Sequence, residues 1–375
     1  MNNQKRVRVL HFAPGFLFGG IESRLLDWYS HIDRDKVQFD LLKQSNNIDD
    51  TSNIARFREL GGEVYNIPRF SLKTLTEYIR EIKRFFKENN DYDVVHSHSL
   101  STGLFVLYYA KKYGIKKRIL HARTSKTDGN FIKRCLNDLM KFSAPYFATH
   151  LFAVSGVAAV WGFGKKRVYN GQVSILKNGI QTDRFKYDQN LRNAKRQELG
   201  IADNYVVGNV CRLAKPKNLP FILSVFKKLI EIEPTAKLLL VGDGPLLNYV
   251  SQQIELFAMK ESVILTGRQS DVWSYYMSMD ILFSPSLFEG FPGTVLEAQA
   301  TGLPCVISNL ITDEVKMSDN LRYLDLSLSL DIWVNELLSF KGQERATNVI
   351  DIIRENGYDS SQVINRLQKY YTDES

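Results

Sequence analysis

The chain has 375 residues, 44% hydrophobic and 24% charged, which describes a globular protein with room for two domains and excludes a disordered or low-complexity chain. Cys135, Cys211 and Cys305 lie far apart with no Cys-x-x-Cys pair, which excludes a disulfide framework or a cysteine zinc site and points to a reducing compartment. The net charge of +8 is unevenly placed, with ten Lys or Arg against two Asp between Lys111 and Lys141.

From the N-terminus, MNNQKRVRVLHFAPG carries too short an apolar run for a signal peptide. VRVLHF (7–12) predicts a buried strand ending in a Pro-Gly turn, and VQFDLL, EVYNIP, DVVHSH, RILHA and HLFAVS predict further strands. Between them Leu75, Tyr78, Ile79, Ile82, Phe85 and Phe86 recur at helical steps, one buried face. The stretch from Ser143 to Gly164 has no charged residue, yet Pro145, His150, Ser155, Gly156 and Gly162 interrupt it, so no membrane span is expected. The polar stretch 183–200 reads as a linker. The pattern then restarts with YVVGNV, KLLLVG, SVILTG, DILFSP and PCVIS, separated by helices such as Pro220 to Ile232. After Ser308 the strand signal fades, and 331–340, 343–356 and 360–371 read as helices. Strands alternating with helices predict an α/β chain of two doubly wound Rossmann-like domains, with ligands beyond the strand ends and a cleft between the domains as the expected site.

The strand ends carry the candidate residues. Gly19 and Gly20 precede a helix and suit close approach to phosphate, although a tight turn without a ligand explains them as well. His96 and His98 fall on one side of a strand end; they could form a metal pair, or one could be a core partner and the outer one, His98, a substrate contact. Arg212 and Lys217, five apart after a strand, suit a diphosphate or an ordinary charged surface. Gly242 and Gly244 form a lone Gly-x-Gly without the acidic partner of a nicotinamide site. EGFPGTVLE places Glu289 before a helix that should run to about Ala300 and stop at Gly302, with Glu297 along it. Each carboxylate suits a pair of sugar hydroxyls, or a cap and a solvated residue, while the amides of Phe291, Pro292, Gly293 and Thr294 suit an anion.

Taken together these motifs resemble the GT-B fold retaining glycosyltransferases of family four, over nearly the whole chain. The paired-glutamate motif stands as EGFPGTVLE, the basic pair as CRLAKPKN, the glycine loop as FGGIE, the strand-end histidine as VVHSHS and the hinge signature as KNGIQTDRF. LPCVIS, GIES and the basic region after the histidine strand resemble bacterial exopolysaccharide and capsule enzymes. The resemblance implies an acceptor domain over 1–185, a nucleotide-sugar donor domain over 186–358, and a helix at 359–375 packing back on the first. Arg212 and Lys217 would bind the donor diphosphate, with Gly19 and Gly20 beside it. Glu297 would hold the ribose, Gly267 and Arg268 would flank the base, and Glu289 with the amides from Phe291 to Thr294 would hold the sugar. His98 would contact the sugar near its reacting carbon. Gln181, where an acid is common, and Gly293, where related sequences vary, depart from the pattern.

The implied reaction is retaining transfer from a UDP-sugar to a lipid-linked glycan, the leaving phosphate taking the acceptor proton, with no cofactor and no metal. The Asp-x-Asp at Asp33 to Asp35 reads as a turn. The basic segment 111–141 implies an anionic membrane surface rather than nucleic acid, and a cytoplasmic protein peripheral to the inner face of the plasma membrane. Oligomeric state has no signal. Three rival readings stand beside this one: a metal-dependent hydrolase using His96 and His98, a non-catalytic partner subunit of the same fold, and a sugar phosphorylase or synthase.

Overall fold

The computed structural model describes residues 6–15, 20–45, 52–125 and 131–372. Two compact units emerge, Met1–Gly179 with Ser360–Ser375, and Ile180–Asp359.

In the first unit seven parallel strands are β1 (Val7–Phe12), β2 (Val37–Gln44), β3 (Val64–Ile67), β4 (Val94–Ser97), β5 (Lys117–Ala122), β6 (His150–Ala153) and β7 (Val173–Ile175). Their order is β3-β2-β1-β4-β5-β6-β7. The order reverses between β1 and β4, where His11 lies opposite His96. Such a reversal opens a crevice beyond the strand ends. Leu25, Trp28 and Tyr29 of the helix Gly20–His31 are buried, as are Val363, Ile364, Leu367 and Tyr371 of the helix Ser360–Thr372, in one core with the β1 and β2 side chains. The C-terminal helix is therefore part of the first unit, tied there by a hydrogen bond between Ser360 and Asp27.

The second unit has six parallel strands, β8 (Val206–Val210), β9 (Lys237–Val241), β10 (Val263–Leu265), β11 (Ile281–Ser284), β12 (Cys305–Ser308) and β13 (Leu321–Leu324), in the order β10-β9-β8-β11-β12-β13. Its reversal falls between β8 and β11. β8 and β11 are buried throughout, as strands covered on both faces must be.

Two sequence expectations need correction. The supposed linker contains a helix, Gln189–Glu198, capped by Asp188 and packed on the second unit. β7 and β13, both short edge strands, were not expected, because three or four residues at a sheet edge give too little periodicity. The uncharged stretch 143–164 divides into a turn at Ala144–Tyr146, β6, and a helix Gly156–Phe163 capped by Ser155. Among the described residues no helix is long and apolar enough to cross a membrane.

Candidate functional site

The reversal point of the second sheet gathers most of the candidate residues. From β8 the chain passes Cys211 and Arg212 and makes a tight turn, Lys215–Lys217. Asn218 follows in the left-handed region at φ 57°, and the helix Leu219–Ile232 begins. From β11 the chain passes Ser286 and Glu289 to the helix Gly293–Ala300. The two loops are laced together: Leu287 N donates to Pro216 O at 2.8 Å, and Asn218 Nδ2 donates to Pro285 O at 3.2 Å. Lys217 Nζ forms an ion pair with Glu289 Oε1, and Ser286 Oγ donates to the same oxygen at 3.2 Å. Burial alone would push the Lys217 ammonium down, but the Glu289 carboxylate outweighs it and holds the group above its ordinary value. Lys217 is therefore a firmly charged cation in a mostly buried position. Arg212 is exposed and has no ion-pair partner among the described residues.

The helix Gly293–Ala300 points its N-terminus into this same place. Pro292 has no N–H, and Gly293 N is engaged with Phe291 O at 3.0 Å. The amides of Phe291 and Thr294 have no acceptor among the described residues, so two donors rather than four are open to a ligand. A methyl group on Gly293 would meet nothing within 4 Å. The helix stops at Gly302 with φ +71°, as its sequence requires. Glu297 does not join Glu289; Tyr276 Oη donates to Glu297 Oε2 at 3.1 Å. The two glutamates thus have separate partners and form no acid–base pair.

Gly242 and Gly244 have a packing role that the sequence did not disclose. An added Cβ would lie 1.9 Å from Cys211 O at Gly242 and 2.5 Å from Leu213 O at Gly244. Leu213 N donates to Asp243 O at 2.9 Å, so the loop carrying Arg212 lies directly on this turn. Gly267, at φ +64°, accepts from Gly242 N at 2.8 Å, and Arg268 beside it is exposed.

In the first unit, Gly20 begins its helix and Gly19 lies outside the described residues. His98 follows β4, with its amide on Phe12 O at 2.9 Å, and His96 and His98 do share one side, their rings stacked 4.4 Å apart. The sequence did not foresee the layer around them. His11 Nδ1 lies 3.1 Å from His98 Nε2, and His96 Nε2 lies 3.1 Å from His121 Nδ1. His96 Nδ1 meets Tyr371 Oη at 2.6 Å, and Arg123 Nη1 reaches His98 Nδ1 at 3.4 Å. An arginine only donates, so His98 Nδ1 accepts and its Nε2–H donates to His11 Nδ1. His11 Nε2 is then a buried donor without a partner among the described residues. A sugar hydroxyl reaches a nitrogen of His98 only by displacing one of these two neighbours. Burial, with the Arg123 charge, pulls His11 down to about 3, and burial first among several causes holds His96, His98 and His121 well below the ordinary imidazole value.

One nitrogen each of His11, His96 and His98 lie within 4.8 Å of one another, the spacing of a metal triad. The Arg123 guanidinium reaches His98, and among the described residues no carboxylate belongs to the set. A divalent ion would face that cation in a buried place, so the layer suits neutral imidazoles.

Two Rossmann-like sheets, with cations and open helix amides at the reversal point of the second, define a GT-B glycosyltransferase. The family model for "Glycosyltransferase Family 4" matches residues 18–184, and that for "Glycosyl transferases group 1" matches 192–315. The chain belongs to glycosyltransferase family four. It is similar to the glycosyltransferase-family protein EpsF of Bacillus subtilis (strain 168), 28% identical over 98% of this chain and 97% of that one. The UDP-Gal:alpha-D-GlcNAc-diphosphoundecaprenol alpha-1,3-galactosyltransferase of Escherichia coli is 24% identical over 80% of each chain. Anabaena Alr3699/HepE, solved with UDP-glucose, shares the fold with a TM-score of 0.78 at 17% identity, over 98% of this chain and 100% of that one.

Proposed function

We propose that this enzyme moves a sugar from a nucleotide diphosphate sugar, UDP-sugars being favoured, to a hydroxyl of a lipid-linked glycan precursor. The observation that carries this is the meeting of Lys217, Glu289, Arg212 and the open amides of Phe291 and Thr294 at one sheet reversal. The E. coli relative, a galactosyltransferase named for its UDP-Gal donor and diphosphoundecaprenol-linked acceptor, supports the donor and acceptor classes.

The costly event is departure of the nucleotide diphosphate. Arg212, Lys217 and the two amides supply positive charge where that negative charge develops, without reorganising in the step. Glu289 shares its carboxylate between Lys217 and the hydroxyls of the sugar, and Glu297 holds the ribose. Gly267 and Arg268 flank the base. The bond from the anomeric carbon to the diphosphate breaks, and the acceptor oxygen bonds on the same face. The acceptor proton passes to the leaving phosphate oxygen, so configuration is retained. Lysine and arginine neutralise the diphosphate, so no metal is required, and the reaction takes place on the cytoplasmic side of the membrane.

Lys217→Ala tests the site. Turnover of the accepted UDP-sugar should fall ~100 to 1,000-fold, with the thermal transitions of the fold retained. Near-normal turnover would remove the diphosphate assignment. The wild-type enzyme should remain active in EDTA, and a strict need for a divalent ion would overturn the metal-free step.

A further inference from the structure

The basic segment 111–141 is not one surface. Lys117 Nζ donates to Tyr370 O at 2.7 Å, Arg118 Nε donates to Phe147 O at 2.7 Å, and Arg123 lies against the histidine layer. These cations serve the protein interior. A different surface carries both charge and exposed apolar groups. In the helix Phe131–Ser143, Met140 is the buried residue, whereas Phe131 is 73% exposed, Ile132 72%, Leu139 65% and Phe142 63%. With exposed Cys135, these side chains fall within an arc of about 100° on a helix of 3.6 residues per turn. The helix therefore presents its apolar stripe outward, the reverse of a helix packed on a core.

The surface continues beyond the helix. Tyr146 follows it, and Val157, Val160 and Tyr169 are exposed on the helices Gly156–Phe163 and Lys165–Tyr169. Lys141 Nζ lies 4.1 Å from the Trp161 ring centre, and the Arg167 guanidinium lies 5.5 Å from that of Tyr146. These contacts join the elements into one face. From 131 to 169 the chain holds six Lys or Arg, namely Lys133, Arg134, Lys141, Lys165, Lys166 and Arg167, against one acid, Asp138. An apolar stripe bordered by cations matches the interface of an anionic bilayer, with hydrocarbon below and charged headgroups above. A second copy of this chain would bring the same positive charge against itself.

We propose that the face formed by residues 131–146 and 156–169 docks on an anionic lipid bilayer, with Phe131, Ile132, Leu139 and Phe142 entering the headgroup boundary. Docking deepens the glycosyl-transfer reading, on which it rests only for its purpose of meeting a lipid-linked acceptor. The test is co-sedimentation of the full chain with vesicles of phosphatidylcholine, alone or mixed with phosphatidylglycerol. Wild type should partition into the mixed vesicles and more weakly into the neutral ones. L139D/F142D should lose at least ~tenfold of that partitioning at low salt, and K133Q/R134Q should lose binding to the mixed vesicles selectively. All three proteins should share one melting profile, because the altered side chains are exposed. Equal partitioning of wild type and L139D/F142D overturns the proposal. So does a wild-type dimer that L139D/F142D converts to monomer while partitioning stays unchanged. Transfer to a water-soluble acceptor without vesicles, measured in parallel, should be equal in wild type and L139D/F142D. Its absence in both would overturn the transfer reading, while the vesicle result still decides docking.

Discussion

Lys217 and Glu289 lie 72 positions apart in the chain and share one ion pair. Each follows a strand at the reversal of the sheet, which is why residues of such different position meet. Their pairing holds the lysine charged in a mostly buried place, so the proposed donor diphosphate would meet a cation already held in position. Beneath them the packing of two backbones decides the position of Arg212. Gly244 allows the turn after β9 to touch the carbonyl of Leu213, and a methyl group there would stand 2.5 Å from it. Gly244→Ala should cost about 1 to 3 kcal/mol of stability in the second unit through overpacking. Binding of UDP should weaken along with it, because the Arg212 loop has to give way. Calorimetry with and without UDP checks both, and an unchanged melt with unchanged UDP binding would show that the turn has no such role. The Gly-x-Gly was visible in the sequence as a weak phosphate signal, but its close contact with another loop was not.

At the scale of elements, the helix Gln189–Glu198 shows how a polar segment can be fixed without an apolar stripe. Arg192 Nη1 donates to Met277 O and Met279 O, both at 2.8 Å. Arg196 is buried, donates to Ser278 O at 2.8 Å and pairs with Asp280 at 3.3 Å. Asp280 in turn accepts from Val206 N at 2.7 Å, so the helix is bound to the start of β8. The guanidinium groups cap the carbonyls ending the helix Val272–Ser278, together with Arg345, whose Nη2 donates to Met277 O at 2.9 Å and to Met279 O at 2.6 Å. Arg196→Met should destabilise the second unit by about 2 kcal/mol, since carbonyls and part of the Asp280 charge lose their donors. A melt of this unit lowered by no more than experimental scatter would show that Arg192 and Arg345 suffice without Arg196. Hydrophobic periodicity missed this helix because arginine contacts to backbone, rather than apolar burial, hold it.

At the scale of the molecule, the two units differ in one titratable residue type. All six histidines precede residue 151, and the second unit has none. His11, His96, His98 and His121 are buried neutral, beside Arg123 and Tyr371. In the unfolded chain these rings protonate near the ordinary value of about 6.5, whereas the folded rings do so far lower. The unfolded state then binds more protons. The stability from this layer is present above about pH 6.5 and falls as pH drops, by about 1.4 kcal/mol per pH unit for each ring kept neutral. Scanning calorimetry at about pH 7.5 and about pH 5.5 should show the first unit's transition moving down further than the second's. Equal movement of both transitions would mean that the histidine layer does not control acid stability.

The amino-acid sequence by itself determined the two doubly wound sheets, because strands buried on both faces read as continuous apolar runs between helical periods. It also determined that Arg212, Lys217, Glu289 and the start of the helix Gly293–Ala300 follow strand ends, since turn residues and caps are local signals. Tertiary structure alone decided which of them touch. It paired Lys217 with Glu289, gave Glu297 to Tyr276, and left two of the expected amides open. It enclosed His98 among His11, His96 and Arg123, and divided a run of basic residues between the interior and an exposed apolar face. Spacing along a chain fixes which face of an element a residue occupies, whereas what lies against that face depends on strand order, which connects residues distant in sequence.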